Sequence, residues 1–187
     1  MGRLSVRLML AFPCLMLSLG CKRPSNETPS GDASMSIELT SKAFQPGLTM
    51  PKQYTGDGAD RSPPLAWSEP PSGTKSLALI CDDPDAPRGT WVHWVLFNLP
   101  AQTRALVEGL PTTETLDNGA KQGKNDFGNI GYGGPAPPKG KPHRYFFKLY
   151  ALDVAVDLPA AATKAQLMDA MKGHILAEGQ LVGNYGR

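Results

Sequence analysis

Two histidines stand where the sequence could form a binding site for an anion. His93 lies in the apolar segment 91–97, shortly after the acidic, proline-containing segment 82–87. His143 follows the glycine- and proline-rich segment 131–142 and precedes another apolar run. Imidazole N–H groups donate hydrogen bonds to phosphate or carboxylate oxygens, and histidine changes its charge near neutral pH. The two segments therefore predict a small cavity that receives a negatively charged group between the rings.

The segments that precede the two histidines are stiff. Proline fixes φ and glycine permits close approach of the backbone, so Gly-Gly-Pro-Ala-Pro-Pro at 133–138 predicts a rigid cavity wall with few donors. Asp83 or Asp85 is expected to orient one imidazole by accepting a hydrogen bond from its other nitrogen. The alternative is that Asp82, Asp83 and Asp85 only form a turn, because Asp and Pro dominate ordinary turns.

Metal binding and hydrolysis are the competing chemistries. His93, His143 and one aspartate would form a familiar set of metal ligands, and the residues alone leave this alternative open. A hydrolase would need a nucleophile, but no Gly-x-Ser-x-Gly sequence occurs, and no Ser or Cys has a recognisable spacing to the two histidines. The residues therefore favour binding over catalysis, with a metal-dependent hydrolase as the weakest hypothesis.

The elements that must hold these residues have the periodicity of β-strands. Segment 36–40 alternates polar and apolar side chains, as a half-buried strand does. Segments 76–81 and 91–97 are continuous apolar runs of strand length, as expected where both faces of a strand are covered. Segment 145–152 is a further strand, and its aromatic side chains are assigned to the core.

One helix is predicted near the end of the chain. Thr163 and Gln166 have the spacing of a capping box, and apolar side chains share one face of the turns that follow. Gly173 is expected to end this helix. Residues 174–187 fit either a short helix or an edge strand, and His174 is given a structural role.

The first 35 residues are not predicted to belong to the fold. Residues 1–20 combine a basic start, a short apolar run and a small residue before Cys21, which is typical of an export signal peptide. Segment 17–21 resembles a bacterial lipobox, so Cys21 is predicted to carry a lipid anchor to a membrane. Residues 21–35 are rich in Pro, Ser and charge and predict a flexible tether, which leaves 36–187 as the domain.

These features predict a localisation and exclude one class of partner. We expect an exported protein that is anchored to the bacterial cell envelope as a lipoprotein, with periplasmic or secreted protein as the alternative. The chain has 19 basic and 17 acidic residues, and removal of Arg3 and Arg7 with the signal leaves 17 of each. Nucleic-acid binding requires a basic field, so we expect no nucleic-acid partner.

Cys81, the one cysteine of the predicted domain, is expected to be a buried apolar residue outside any disulfide.

The two histidine segments together resemble a known family. Asp-Pro-Asp-Ala-Pro at 83–87, followed by Trp91 and His93, is similar to one signature region of the phosphatidylethanolamine-binding protein family, also called Raf kinase inhibitor proteins. Segment 134–145 is similar to the other signature region. The Gly-Tyr-Gly-Gly sequence before it and the closing Leu-Val-Gly-Asn-Tyr sequence resemble the bacterial branch in particular. The likeness covers roughly 36–187.

The resemblance implies a fold and a ligand. The fold would be mainly β, with two packed antiparallel sheets and a few peripheral helices. The ligand would be a phosphate-like anion or a phospholipid headgroup held between His93 and His143, without catalysis, metal or other cofactor. The binding residues carried over from the family are Asp83, Pro87, Trp91, His93, Pro137, Pro138, His143 and Tyr145. Tyr185 is a further candidate, and the sequence leaves its place open.

The resemblance also implies an enzyme partner. Some members of the family inhibit kinases or proteases, so anion binding is expected to modulate a partner enzyme. The alternative hypothesis is an inhibitor of a kinase or protease that acts through the rim of the pocket and the loop 119–142.

Overall fold

The computed structural model describes residues 1–2 and 35–187. The predicted signal peptide beyond residue 2 and the predicted tether up to residue 34, with Cys21, lie outside the described residues. Within the described part, one α-helix, one turn of 3-10 helix (Lys52–Tyr54) and nine strands occur. In chain order they are β1 (Met35–Ser36), β2 (Leu39–Thr40), β3 (Leu65–Trp67), β4 (Ser76–Asp83), β5 (Trp91–Pro100), β6 (Ala105–Leu106), β7 (Lys121–Gln122), β8 (His143–Leu152), α1 (Lys164–Met171) and β9 (Ile175–Tyr185).

The strands form a large and a small sheet. The large sheet has the order β1-β9-β8-β4-β5-β7, and the small sheet has the order β2-β3-β6. All neighbouring strands are antiparallel except β1 and β9, which are parallel. The mainly β fold with two antiparallel sheets, implied by the family resemblance, is confirmed, with α1 as its one peripheral α-helix in the described residues.

The central strands of the large sheet carry apolar side chains on both faces. Leu77 and Leu79 of β4 belong to the apolar layer between the sheets, which also contains Leu65 of β3. Ile80 belongs to a second layer on the opposite face, where Leu167 of α1 is fully buried. Every residue of β4 is buried, as predicted for a strand that is covered on both faces.

A β-bulge in β5 lies at His93. Asp82 is opposite Val92, whereas its neighbour Cys81 is opposite Trp94, so His93 has no partner on β4. Such an extra residue bends the strand and redirects its side chains. His93 and Trp94 are consecutive, yet both lie on the face toward the small sheet, while Val92 lies on the face toward α1.

Two predictions about segment boundaries are corrected, and one segment that the sequence left open is assigned. Segment 36–40 alternates between exposed and buried side chains as predicted, but it is split between β1 and β2 because the chain crosses there from the large to the small sheet. Residues 174–187, left open between a helix and an edge strand, contain β9, which pairs with β8 along its length. Segments 35–37 and 47–50 form backbone hydrogen bonds with the other edge of β9. The loop 119–142 includes the short strand β7.

The helix has the ends that the sequence predicted. The Thr163 hydroxyl accepts a hydrogen bond from the Gln166 N–H, and the Gln166 side chain accepts one from the Thr163 N–H. Gly173, with φ of 81°, lies just beyond the helix. His174 follows, with its Nδ1 atom 2.8 Å from a carboxylate oxygen of Asp153, which agrees with a structural role. No helix among the described residues combines the length and the apolar character needed to cross a membrane.

Candidate functional site

A cavity of about 450 Å³ lies where the loop after β4 meets the first residues of β5 and β8. All of the predicted binding residues line it: Asp83, Pro87, Trp91, His93, Pro137, Pro138, His143 and Tyr145. Four residues that the sequence analysis did not select complete the lining: Ala86, Arg88, Phe127 and Ala136. The two predicted segments therefore meet at one place, while the binding role of these residues stays a prediction.

Asp83 orients His143. The Nδ1 atom of His143 lies 2.7 Å from a carboxylate oxygen of Asp83, and the two side chains are 13% and 5% exposed. A carboxylate only accepts hydrogen bonds, so Nδ1 carries a proton and donates it. The Nε2 atom, on the other side of the ring, makes no hydrogen bond to the described residues. Asp83 thus occupies the orienting position that the sequence assigned to either Asp83 or Asp85.

The backbone of Gly133 orients His93. The Nδ1 atom of His93 lies 2.6 Å from the Gly133 carbonyl oxygen, to which it donates, and the Gly133 N–H donates to the His93 carbonyl at 2.9 Å. Burial lowers the pKa of His93, although the Gly133 carbonyl opposes this in part. The lowered pKa favours the neutral His93 ring in the free chain, and its Nε2 atom becomes a donor when a nearby negative charge favours protonation.

Two buried donors at the cavity have no acceptor with normal hydrogen-bond geometry among the described residues, although the Asp83 carboxylate lies near the Tyr145 hydroxyl. The Nε1 atom of Trp91 and the hydroxyl of Tyr145 are buried and make no hydrogen bond within the described residues. Burial, and then the negative charge of Asp83, raise the pKa of Tyr145, so its hydroxyl keeps the proton. Buried polar groups without partners are uncommon because each costs about 1–3 kcal/mol of desolvation. Both residues line the cavity, so an acceptor bound there is a candidate partner for each donor.

Only one of the three grouped aspartates faces the histidines. Successive side chains of a strand point to opposite faces, so Asp82 lies on the face toward α1. There it pairs with Lys148 of β8 at 3.0 Å and with a lysine of α1. Asp85 lies in the turn after β4, where Arg144 binds it and lowers its pKa. The alternative that these aspartates only form a turn therefore does not account for Asp83.

A second loop, which the sequence analysis did not select, supports the wall of the cavity. The Gly134 N–H donates to the carboxylate of Asp60 at 2.6 Å, and the Tyr132 hydroxyl donates to the Tyr54 carbonyl at 2.7 Å. A Cβ atom on Gly134 would lie 2.6 Å from Asp60 Oδ1 and 2.8 Å from Thr55 Cα. Only glycine fits there. No signal beyond the turn residues of segment 56–60 marks this support in the sequence.

Phe127 is a second part of the site that the sequence analysis did not identify. Its ring meets the rings of Trp91 and His93 edge to face, with centroids 5.4 and 5.3 Å apart, yet 45% of the residue is exposed. The Asn125 side chain forms its turn by accepting hydrogen bonds from the N–H groups of Phe127 and Asn129. The sequence Asn-Asp-Phe-Gly-Asn at 125–129 predicts a turn but does not reveal that its aromatic ring reaches the cavity.

Tyr185 does not line the cavity. Its hydroxyl donates to the carboxylate of Asp57 at 3.0 Å, and the Arg187 guanidinium binds the same carboxylate and lowers its pKa.

Cys81 is free and 1% exposed, as predicted, and burial raises the pKa of its thiol. Within residues 35–187, no three or more His, Cys, Asp or Glu side chains are arranged to hold a metal ion.

The two-sheet fold and the paired-histidine cavity define a protein class. The model of the phosphatidylethanolamine-binding protein family matches residues 40–186, and the chain belongs to this family. A UPF0098 protein of Methanothermobacter thermautotrophicus is 50% identical over 151 residues, which are 81% of this chain and 99% of that relative. A UPF0098 protein of Aquifex aeolicus is 49% identical over 153 residues, with 81% and 89% covered.

Solved structures agree with this assignment. The crystal structure of a phosphatidylethanolamine-binding protein homologue of Chlamydia trachomatis has a TM-score of 0.75 and 43% identity, and the match covers 82% of this chain and 99% of that chain. YbcL of Escherichia coli has a TM-score of 0.73 and 34% identity, with 81% and 99% covered. The family resemblance stated from the two signature segments is confirmed.

Proposed function

We propose that the chain binds a phosphate-like anion, or the phosphate of a phospholipid headgroup, between His93 and His143 without converting it. The observation that carries this proposal is a pair of buried donors without a well-placed acceptor, Trp91 Nε1 and the Tyr145 hydroxyl, on residues that line the same cavity as both histidines. An anion with several oxygen atoms would accept from these donors and from the protonated rings. Charge-assisted hydrogen bonds of this kind are about twice as strong as neutral ones.

Proton uptake accompanies the proposed binding. In the free chain each Nδ1 atom donates to the protein, so a neutral ring presents an unprotonated Nε2 atom to the cavity. A bound anion favours the protonated form of His93, whose pKa is lowered by burial in the free chain. Each ring that gains a proton then donates through Nε2.

Binding is favoured over catalysis by the composition of the cavity wall. Among the described residues that line it, none is Ser, Thr or Cys, so the wall offers no hydroxyl or thiol nucleophile of the usual kind. A partner enzyme stays a prediction of the family resemblance.

Isothermal titration of the purified chain with sulfate, phosphate and phosphoethanolamine tests the proposal. We expect saturable binding that weakens in His93→Ala and in His143→Ala. His174→Ala is the matched control, because this third histidine pairs with Asp153 and does not line the cavity. Unchanged affinity in both cavity variants would remove the proposal. Release of product from phosphate esters by the parent, lost in the same variants, would replace it with an enzyme.

We also propose that Cys21 carries the lipid anchor of an exported protein. The support is the lipobox-like sequence after a short apolar run. The parent chain, expressed in a bacterium, is expected to partition into detergent, and Cys21→Ser is expected to stay in the aqueous phase. Equal partitioning would exclude the anchor.

A further inference from the structure

A second, smaller cavity adjoins the histidine cavity. It has a volume of about 310 Å³ and shares Pro87, Pro138 and His143 with the larger one. Two proline rings and one imidazole are thus common to both walls, so the two cavities lie side by side at His143.

The smaller cavity has a net positive wall. Lys139 and Lys141 line it, both are exposed, and neither forms an ion pair with any residue of the described chain. Its one acidic residue, Asp85, is neutralised by Arg144, which donates to both carboxylate oxygens at 2.9 and 2.8 Å. Two lysine charges therefore remain without a counter-charge.

The two lysines lie on a short exposed segment beside the cavity. Lys139 and Lys141 lie between Pro138 and Pro142, whose φ angles are fixed, and Gly140 between them has φ of 140°. Their side chains are long and flexible, and both line the smaller cavity together with His143. Such a pair is suited to a compact anion, which can accept from both ammonium groups.

We propose that the ligand carries two anionic groups, one bound between His93 and His143 and one bound by Lys139 and Lys141. Its chemical class is a phosphate ester with a second phosphate or carboxylate a few bonds away. This inference rests on the proposed function and adds the second point of recognition. The same chemistry occurs in soluble bisphosphates and in doubly phosphorylated headgroups of membrane lipids.

Titration calorimetry with two matched probes tests the inference on the full chain. Propyl phosphate carries one phosphate, and 1,3-propanediol bisphosphate carries two. We expect the bisphosphate to bind about tenfold more tightly, or by about 1.4 kcal/mol, because it forms two additional exposed ion pairs. In Lys139→Ala/Lys141→Ala this advantage should disappear, while the affinity for propyl phosphate changes less than about twofold.

A control variant separates local contacts from overall charge. Lys42→Ala/Lys75→Ala removes the same net charge at exposed positions that line neither cavity. It should keep the tenfold advantage. Loss of the advantage in this control as well, or its survival in the variant of Lys139 and Lys141, would overturn the inference.

The outcomes for the two proposals differ. Binding of propyl phosphate that depends on His93, with no preference for the bisphosphate, would overturn only the second point of recognition. No binding of either probe would remove both proposals. Vesicles of phosphatidylcholine that contain phosphatidylinositol 4-phosphate distinguish a lipid headgroup from a soluble ligand. Recruitment of the chain to these vesicles that depends on Lys139 and Lys141 indicates a headgroup. Tight binding of the bisphosphate without recruitment to the vesicles indicates a soluble ligand.

Discussion

Removal of His143 should weaken anion binding by two effects that a second substitution separates. In His143→Ala the anion loses a donor worth about 1.5–3 kcal/mol, the usual contribution of a hydrogen bond to a charged group. The substitution also leaves the Asp83 carboxylate, whose side chain is 5% exposed, facing the cavity without its partner. The negative charge of Asp83 then repels the anion, because the imidazole no longer lies between them.

The size of this repulsion can be estimated from the hydrogen bond between Asp83 and His143. That bond of 2.7 Å, the width of the ring and a second hydrogen bond to the anion would place the two charges about 7 Å apart. Two like unit charges at about 7 Å with an effective dielectric constant of about 20 repel by about 2 kcal/mol. Water that enters the vacated space screens part of this, so we expect a total loss of about 3 kcal/mol, or roughly 150-fold in Kd.

The double variant Asp83→Ala/His143→Ala should therefore bind more tightly than His143→Ala. It loses the donor but has no carboxylate to repel the anion, so we expect a loss of about 2 kcal/mol, or roughly 30-fold in Kd. Sulfate titration by calorimetry at pH 6 measures both values, and thermal unfolding checks that each variant is folded. A double variant that binds no more tightly than the single variant would refute the electrostatic reasoning.

Three further predictions concern pH, the cavity wall and α1. Because burial lowers the pKa of His93 in the free chain and a bound anion raises it, sulfate affinity should be highest at acidic pH and decline as pH rises through the pKa of the bound form. Sulfate keeps its charge in this pH range, so the change must come from the protein. A sulfate affinity in calorimetry that does not vary with pH, or that varies equally in His93→Gln, would contradict the role of His93. Gly134→Ala should lower the free energy of unfolding by about 2–3 kcal/mol, because the added Cβ would lie 2.6 Å from Asp60 Oδ1; an unchanged midpoint in urea would show that the loop shifts freely. Leu167→Ala should lower the same free energy by about 2–5 kcal/mol, since the side chain is fully buried, yet leave the sulfate Kd unchanged, because α1 packs on the other face of the sheet.

The bulge at His93 explains why a strand pattern was an incomplete guide to the site. Strict alternation would place His93 and Trp94 on opposite faces of the sheet. The extra residue in β5 brings both to the face of the small sheet, so one ring lines the cavity and the other packs in the core. The apolar run 91–97 contains no signal for this bulge, because the bulge depends on the register between β4 and β5.

The sequence by itself determined the features that depend on neighbours along the chain. The apolar runs predicted the central strands, the spacing of Thr163 and Gln166 predicted the start of α1, and the motifs around the two histidines indicated the family. Hydrophobic periodicity and helix capping act over a few residues, so they can be inferred from a short window.

Only the tertiary structure decided which groups meet at the cavity. Asp83 and His143 are 60 positions apart, and their hydrogen bond depends on the pairing of β4 with β8. The same pairing turns Asp82 away from the cavity, and a separate loop brings Phe127 to it. Contacts of this kind follow from strand register and from loops that cross between sheets, and these are fixed by packing of the whole domain rather than by any local pattern.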